Sequence, residues 1–281
     1  MEVVTKIAPI LLALIMLGLG LGLKIEDFTR VLKTPKDFFV GFFSQLIILP
    51  LVAYLLIIIL KPPPEIAIGV MIIAAAPGGV TSNILTKFAN GDVALSVTLT
   101  AFVSLLSVIT VPLIVYNSAS FLGFEITKEI SMINIAVKMF FVVTVPVIFG
   151  MIVRSLMTNF ITSKTLLVQR LSVILFLVVF ISIWVEEWDR IISFITRAGL
   201  VAFILNITMI FIGYYMAKFL ASGLEQRKCI SLECGLQNGT LAVFVATQLF
   251  DDIVFMVPTA AYALIMFVTS IIFVLIVRKI N

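Results

Sequence analysis

The feature that most constrains this chain is a succession of long apolar runs joined by short polar loops. A helix needs roughly 20 apolar residues to span a bilayer, and nine runs meet this length, at about 7–23, 37–60, 65–87, 92–116, 130–153, 165–185, 191–217, 229–249 and 254–277. The chain is 62% hydrophobic and 12% charged, whereas soluble domains are roughly half apolar and a quarter charged. The sequence predicts an all-α polytopic membrane protein with nine transmembrane helices, in one domain over residues 1–281.

Basic residues are distributed unevenly between the loops on the two sides of the predicted bundle. Thirteen lysines and arginines fall on the side of the C-terminus and four on the side of the N-terminus, while Lys138 and Arg197 lie inside helix ends. Cytoplasmic loops are enriched in these residues. We therefore expect a multi-pass protein of the cell membrane (plasma or inner membrane), with its N-terminus outside and its C-terminus in the cytoplasm.

Two of the apolar runs are interrupted by polar residues and glycines. PGGVTSN (77–83) breaks the third run and SLECGLQNGT (231–240) breaks the eighth. The two runs cross the predicted membrane in opposite directions, and spans 1–4 align with spans 6–9. Interrupted helices at corresponding positions are typical of transporters built from an inverted repeat, with the binding site at the breaks.

Unwound backbone at membrane depth must be buried in protein or line a wet cavity. Two facing breaks provide each other with such surroundings. Free carbonyl groups at the end of a half-helix attract cations, and free N–H groups at the start of the next attract anions. The pattern therefore predicts two crossed discontinuous helices with a cation site beside an anion site.

Glu233 is the only acidic residue that falls deep within a predicted span. An isolated carboxylate at the centre of a bilayer costs roughly 3 kcal/mol in insertion measurements. Glu233 must therefore bind a cation, pair across the bundle, or carry a proton.

Several neutral oxygen-bearing side chains accompany it. Ser82 and Asn83 follow the first break, Gln45 lies alone in the second span, and the fourth span carries a polar stripe of Ser96, Thr100, Ser104 and Ser107. Hard cations favour such oxygen ligands. Taken singly, these residues also fit hydrogen bonding between packed helices.

The sequence offers little for enzymatic chemistry. It contains no histidine, and its two cysteines, Cys229 and Cys234, are expected to be free thiols. A catalytic site would require a nucleophile with a base, or paired carboxylates. An ion channel would require a continuous polar path, whereas polarity here is concentrated at the two breaks. We expect a transporter rather than an enzyme or a channel, with no nucleic-acid partner.

The runs AAAPGGVTSNILTKFANGDVALSVTLTA and ECGLQNGTLA resemble the bile acid:sodium symporter family, including its bacterial and archaeal members. The resemblance implies symport of an organic anion with Na⁺ by alternating access, and it fits the nine-helix form of the family. It also implies a panel subdomain, at about 1–23 and 130–186, and a core subdomain, at about 37–117 and 191–279. Two Na⁺ are the implied coupling ions, no cofactor is expected, and a monomer is expected.

The resemblance also assigns individual positions. A first Na⁺ site would use Ser82, Asn83, Ser96, Thr100 and Glu233. A second would use Gln45, Glu233 and Gln237, with backbone carbonyls at Cys234 and Leu236. Gly79, Thr81, Asn238 and Gly239 would face the substrate.

The sequence departs from some relatives around the expected substrate cavity. Residue 80 is valine rather than threonine, and Met266 and Phe267 stand where some members carry a His-Asn pair. A bile-acid-like steroid, pantoate, ketopantoate or another small carboxylate remains a candidate cargo. The alternative is a proton-coupled or sodium-independent organic-anion or efflux carrier of the same architecture, in which Glu233 would titrate.

Overall fold

The computed structural model describes residues 2–123, 131–186 and 188–280, and these ranges are almost entirely helical. The α-helices are α1 (Glu2–Gly22), α2 (Ile25–Thr29), α3 (Pro35–Phe43), α4 (Leu49–Leu60), α5 (Pro64–Ala75), α6 (Val80–Phe88), α7 (Val93–Phe121), α8 (Met132–Met139), α9 (Val145–Leu156), α10 (Thr158–Glu186), α11 (Trp188–Leu220), α12 (Leu224–Gly235), α13 (Gly239–Leu249) and α14 (Val257–Val277). No strand occurs within these ranges, which confirms the all-α prediction.

Within the described residues, five helical stretches are long and apolar enough to cross a membrane. They are Pro35–Leu60, Val93–Phe121, Met132–Leu156, Thr196–Leu220 and Val254–Val277. A sixth forms if Lys6–Gly22 and Ile25–Leu32, which meet at a bend of 80°, are one span. The protein is thus a multi-pass membrane protein, and the count of nine spans stays a prediction.

The lipid-facing surface is visible on α4. Leu51, Leu55 and Ile59 are each more than half exposed, and their spacing of four places them along one face of the helix. In water such a stripe would be strongly unfavourable. Its exposure agrees with a helix whose outer face contacts hydrocarbon.

Two helical spans contain a π-helical turn just before a proline. Ser44–Ile48 precedes Pro50, and Phe140–Thr144 precedes Pro146. Proline lacks an N–H group and its ring clashes with the carbonyl one turn earlier. The preceding turn widens instead, which changes the direction in which its side chains point.

The third and eighth predicted spans are broken helices. The first break separates α5 from α6 at residues 76–79, and the second separates α12 from α13 at residues 236–238. The two breaks touch, because Gly78 and Gln237 form an antiparallel bridge and the Asn238 N–H donates to the Pro77 carbonyl at 2.8 Å. The predicted discontinuities and their contact are confirmed.

Buried helices surround the paired breaks. α5, α7, α11 and α14 pack around them, while α1 packs against α9 and α10. The α1 and α9 backbones approach closely at two glycines, since a Cβ on Gly150 would lie 2.5 Å from the Leu17 carbonyl oxygen and one on Gly20 would overlap Val147. The residues of both breaks, 76–79 and 236–238, are buried.

Candidate functional site

Glu233 lies on the last turn of α12 and is fully buried. Its Oε1 atom is 2.5 Å from both Ser82 Oγ and Ser96 Oγ. Thr100 Oγ1 lies 3.3 Å from each carboxylate oxygen. The Gln45 side-chain amide donates to Oε2 at 2.9 Å. The carboxylate therefore joins the second break to α6, α7 and the π-helical turn after α3.

Asn83 completes this cluster. Its Oδ1 atom lies 2.7 Å from Ser96 Oγ and 3.4 Å from Thr100 Oγ1. The five residues assigned to the first Na⁺ site are therefore brought together in one hydrogen-bonded group. The sequence analysis missed Thr86, a buried residue one turn after Ser82 whose hydroxyl lies 3.5 Å from Ser96 Oγ. Its spacing of four from Ser82 was an available signal.

The cluster holds more acceptors than protons. Ser82 Oγ is 2.6 Å from the Gly79 carbonyl oxygen and 2.5 Å from the Glu233 carboxylate, yet it has one proton to donate. Ser96 Oγ likewise lies within hydrogen-bond distance of two acceptors, Glu233 Oε1 and Asn83 Oδ1, and has one proton to donate. No lysine or arginine in the described residues forms an ion pair with Glu233. One added positive charge, as a metal cation or as a proton on the carboxylate, would relieve this excess of oxygen lone pairs.

The second assigned site shares Glu233 with the first. Gln45 Oε1 and Gln237 Oε1 are buried, and neither has a hydrogen-bond partner in the described part of the chain. The amide N–H₂ group of Gln237 donates to the carbonyl oxygens of Cys234, at 2.9 Å, and Glu233, at 3.3 Å. Buried polar atoms are rarely left unpaired. Two unpaired amide oxygens, on side chains that bond the Glu233 carboxylate (Gln45) and the Glu233 backbone carbonyl (Gln237), fit the chemistry of a second cation site.

Gly78 allows the carboxylate to approach the first break. A Cβ at this position would lie 2.5 Å from Glu233 Oε2 and 3.5 Å from Gln45 Nε2. Any side chain here would compete with Glu233 for the same space. The glycine is therefore required by the site and not only by the turn.

The four residues assigned to the substrate, Gly79, Thr81, Asn238 and Gly239, all line one small cavity of about 30 Å³. Asn238 caps α13, since its Oδ1 accepts from the Leu241 N–H at 3.0 Å. Met266 and Phe267 also line this cavity, as does Ser172 of α10. The sequence prediction did not include Ser172, an isolated hydroxyl in an apolar helix, or Thr240, although Thr240 directly follows the predicted residues Asn238 and Gly239.

A second cavity begins beside the first and is far larger, about 630 Å³. One face of α6 lines it, with Val80, Asn83, Ile84 and Lys87, and Arg154 of α9 lines it as well. No acidic residue lines this cavity within the described residues. The cavity is therefore basic, and it touches the buried cluster through Asn83.

Both cysteines are buried and free, as expected. Cys234 contributes its backbone carbonyl to the environment of Gln237.

A buried oxygen cluster between two broken helices, in a multi-pass helical protein, is the construction of a secondary transporter. Residues 9–194 match the model of the sodium bile acid symporter family. The chain belongs to this family.

The curated relatives are transporters from bacteria, plants and animals. The chain is 30% identical over 267 residues to the uncharacterized sodium-dependent transporter YocS of Bacillus subtilis (strain 168), covering 92% of this chain and 79% of that protein. It is 28% identical over 249 residues to the probable chloroplastic sodium/metabolite cotransporter BASS1 of Arabidopsis thaliana, covering 89% and 61%. It is 27% identical over 258 residues to the ileal sodium/bile acid cotransporter of Oryctolagus cuniculus, covering 89% and 71%.

These relatives make the protein a transporter and not an enzyme. The chain spans less than two thirds of the Arabidopsis relative.

Proposed function

We propose that this protein is a secondary active transporter that couples the inward movement of Na⁺ to symport of a small organic anion by alternating access. The observation that carries the proposal is the buried cluster around Glu233, which has more oxygen acceptors than protons to share. The names of the relatives, which specify sodium-dependent transport or sodium cotransport, support Na⁺ as the coupling ion.

Two ions share the carboxylate in this proposal. The first is held by Ser82, Asn83, Ser96, Thr100 and Glu233. The second is held by Gln45, Gln237 and Glu233, with the backbone carbonyls of Cys234 and Leu236. Bound Na⁺ would add the positive charge that the buried oxygens lack, and this charge would offset the cost of burying a carboxylate. Because the ligands come from both breaks, ion binding would hold the breaks in one geometry.

The substrate carboxylate binds beside these ions, where Gly79, Thr81, Asn238 and Gly239 meet. The positive end of the helix dipole at the start of α13 suits an anion. A bile-acid-like steroid, pantoate, ketopantoate or another small carboxylate fits the site chemistry. The cavity of about 30 Å³ holds roughly one water molecule, so substrate binding requires the panel and core to separate here.

The architecture proposed around this site has nine spans, an inverted repeat and a single domain. A panel subdomain, at about 1–23 and 130–186, moves against a core subdomain, at about 37–117 and 191–279. Residues 1 and 130 of the panel lie outside the described part of the chain. The packing of α1 against α9 and α10 supports this division. The wide basic cavity opens toward the cytoplasm if the protein sits in the cell membrane with its N-terminus outside. We propose that it works as a monomer.

The test is a thermal-shift screen of small carboxylates on purified protein, with Na⁺ or with choline as the cation. A ligand that binds the folded state raises its stability, so we expect Na⁺ alone to stabilise the protein and one carboxylate class to stabilise it further only with Na⁺. Uptake of that carboxylate into proteoliposomes should follow an imposed Na⁺ gradient.

The proton-coupled alternative makes the opposite prediction. It requires uptake driven by a pH gradient in choline buffer, with no stabilisation by Na⁺. That result would overturn sodium coupling while leaving the Glu233 cluster as the coupling site.

A further inference from the structure

The carbonyl group at the end of α12 is held by two side chains from neighbouring helices. The Asn206 amide of α11 donates to the Gly235 carbonyl oxygen at 2.7 Å, and the Tyr262 hydroxyl of α14 donates to the same atom at 3.1 Å. Asn206, Tyr262 and Gly235 are all buried. One backbone oxygen inside the bundle therefore receives both donors that its lone pairs can accept.

A third residue fixes the orientation of this arrangement. The Thr269 hydroxyl lies 2.6 Å from Asn206 Oδ1. Because the Gly235 carbonyl can only accept, the amide N–H₂ group of Asn206 faces Gly235 and the amide oxygen faces the Thr269 hydroxyl. Thr269 also reaches the Ile265 carbonyl of its own helix at 2.8 Å. Asn206 is thus locked between α14 and the second break.

We call the two hydrogen bonds from Asn206 and Tyr262 to the Gly235 carbonyl the clamp, and the first break has no equivalent of it. Among the described residues, no side chain donates a hydrogen bond to the carbonyls of Ala74, Ala75 or Ala76, where α5 ends. The contact at Gly235 is therefore particular to the second break. It lies between the two positions, Cys234 and Leu236, whose carbonyls we assign to the second Na⁺.

We propose that Asn206 and Tyr262 are positioning residues for Na⁺ binding, an inference that rests on the function proposed above. By occupying the Gly235 carbonyl they keep it out of the ion's ligand shell. They also hold the adjacent backbone so that the Cys234 and Leu236 carbonyls stay aimed at the ion. An ion site tolerates little movement of its ligands, and neighbouring hydrogen bonds commonly set ligand orientation.

Two substitutions test this role, with a third as the matched control. Tyr262→Phe removes one hydroxyl and leaves the ring in place, and Asn206→Leu removes the amide at similar volume. Ser270→Ala removes a buried α14 hydroxyl that has no hydrogen-bond partner in the described residues. Its oxygen is 3.8 Å from where a Cβ on Gly235 would lie. The control therefore samples the same neighbourhood without touching the carbonyl.

The measurement is the Na⁺ concentration that gives half-maximal thermal stabilisation of each purified protein without substrate, beside its melting temperature in choline buffer. We expect that concentration to rise roughly two- to tenfold in Tyr262→Phe and Asn206→Leu, the range that one lost hydrogen bond produces. In Ser270→Ala we expect the wild-type value. If Asn206→Leu fails to fold, Tyr262→Phe alone decides the outcome.

A purely structural role gives a different pattern. Both variants would then melt at lower temperature in choline buffer but respond to the same Na⁺ concentration as wild type, and the positioning role would be overturned. If the wild-type protein itself shows no Na⁺ response, the proposed function fails first and the positioning role fails with it.

Discussion

The two helix breaks have similar backbones and contrasting side chains. The first, at residues 76–79, is a proline and two glycines followed by neutral hydroxyl and amide groups. The second, at residues 236–238, follows the buried carboxylate of Glu233 and is clamped at Gly235 by two hydrogen bonds. The first break provides neutral oxygens and, at Gly78, room for the Glu233 carboxylate. The second provides the negative charge and a backbone held by hydrogen bonds at Gly235. The two breaks therefore share a backbone interruption but differ in the chemical groups that they provide.

The largest expected effect comes from removing the charge that only the second break provides. Glu233→Ala should abolish Na⁺-dependent uptake, with a loss of roughly a hundredfold or more, because breaking a buried charged cluster typically costs about 3–5 kcal/mol. Glu233→Gln keeps the shape and serves as the partner variant. Uptake that stayed Na⁺-dependent in either variant would show that the carboxylate is not shared by the ions.

The next effect tests the space that the first break provides. Gly78→Ala would bring a methyl group to 2.5 Å from Glu233 Oε2, whereas in Gly79→Ala the nearest atoms would be Thr81 Oγ1 at 3.4 Å and the Gln237 carbonyl oxygen at 3.7 Å, which are ordinary contacts. Overpacking of this kind costs about 1–3 kcal/mol, so Na⁺ affinity should fall in Gly78→Ala and remain near wild type in Gly79→Ala. Isothermal titration calorimetry with Na⁺, in the absence of substrate, measures the Na⁺ affinity of both variants. Equal losses would remove the special role of Gly78.

A further prediction separates the two ion sites. Gln237→Met removes an amide oxygen that has no partner in the described residues and keeps the length of the side chain. If this oxygen binds the second ion, the Hill coefficient for Na⁺ in transport should fall from near two toward one. Thr100→Val provides the comparison at the first site. A coefficient that is unchanged in Gln237→Met would argue against an ion at this position.

The smallest expected effects distinguish ion from substrate. Thr100→Val keeps the shape of the side chain but loses one oxygen ligand, so the Na⁺ concentration for half-maximal uptake should rise roughly two- to tenfold. Asn238→Ala should weaken substrate affinity at saturating Na⁺ more than it weakens Na⁺ affinity. Because the two binding equilibria are coupled, a substitution that weakens the binding of one ligand also lowers the affinity for the other to some extent.

The measurement is Na⁺ binding without substrate, and substrate binding at saturating Na⁺, for both variants. Equal losses of Na⁺ affinity in Thr100→Val and Asn238→Ala would contradict the separation of ion and anion sites.

The breaks and the single polar residues near them have local signatures in the sequence, whereas their grouping into one site around Glu233 was implied by the family resemblance. Proline and paired glycines interrupt an apolar run, Glu233 is a lone acid at membrane depth, and Ser96 and Thr100 are one helical turn apart. The clamp on Gly235 had no such signature. Asn206 and Tyr262 are single polar groups in apolar helices, 29 and 27 residues from their partner, and only tertiary packing brings them together.

The π-helical turn at Ser44–Ile48 makes the second span unusually sensitive to its length. A π turn holds one residue more than an α-helical turn, and Gln45 reaches Glu233 from within it. Deleting a single residue there would close the π turn into a regular helix, which leaves the two ends of the span in about the same orientation but removes the wide turn from which Gln45 reaches Glu233. Chimaeras of related chains should therefore tolerate length differences in the loops, whereas a one-residue difference between positions 44 and 48 would break the contact between Gln45 and Glu233.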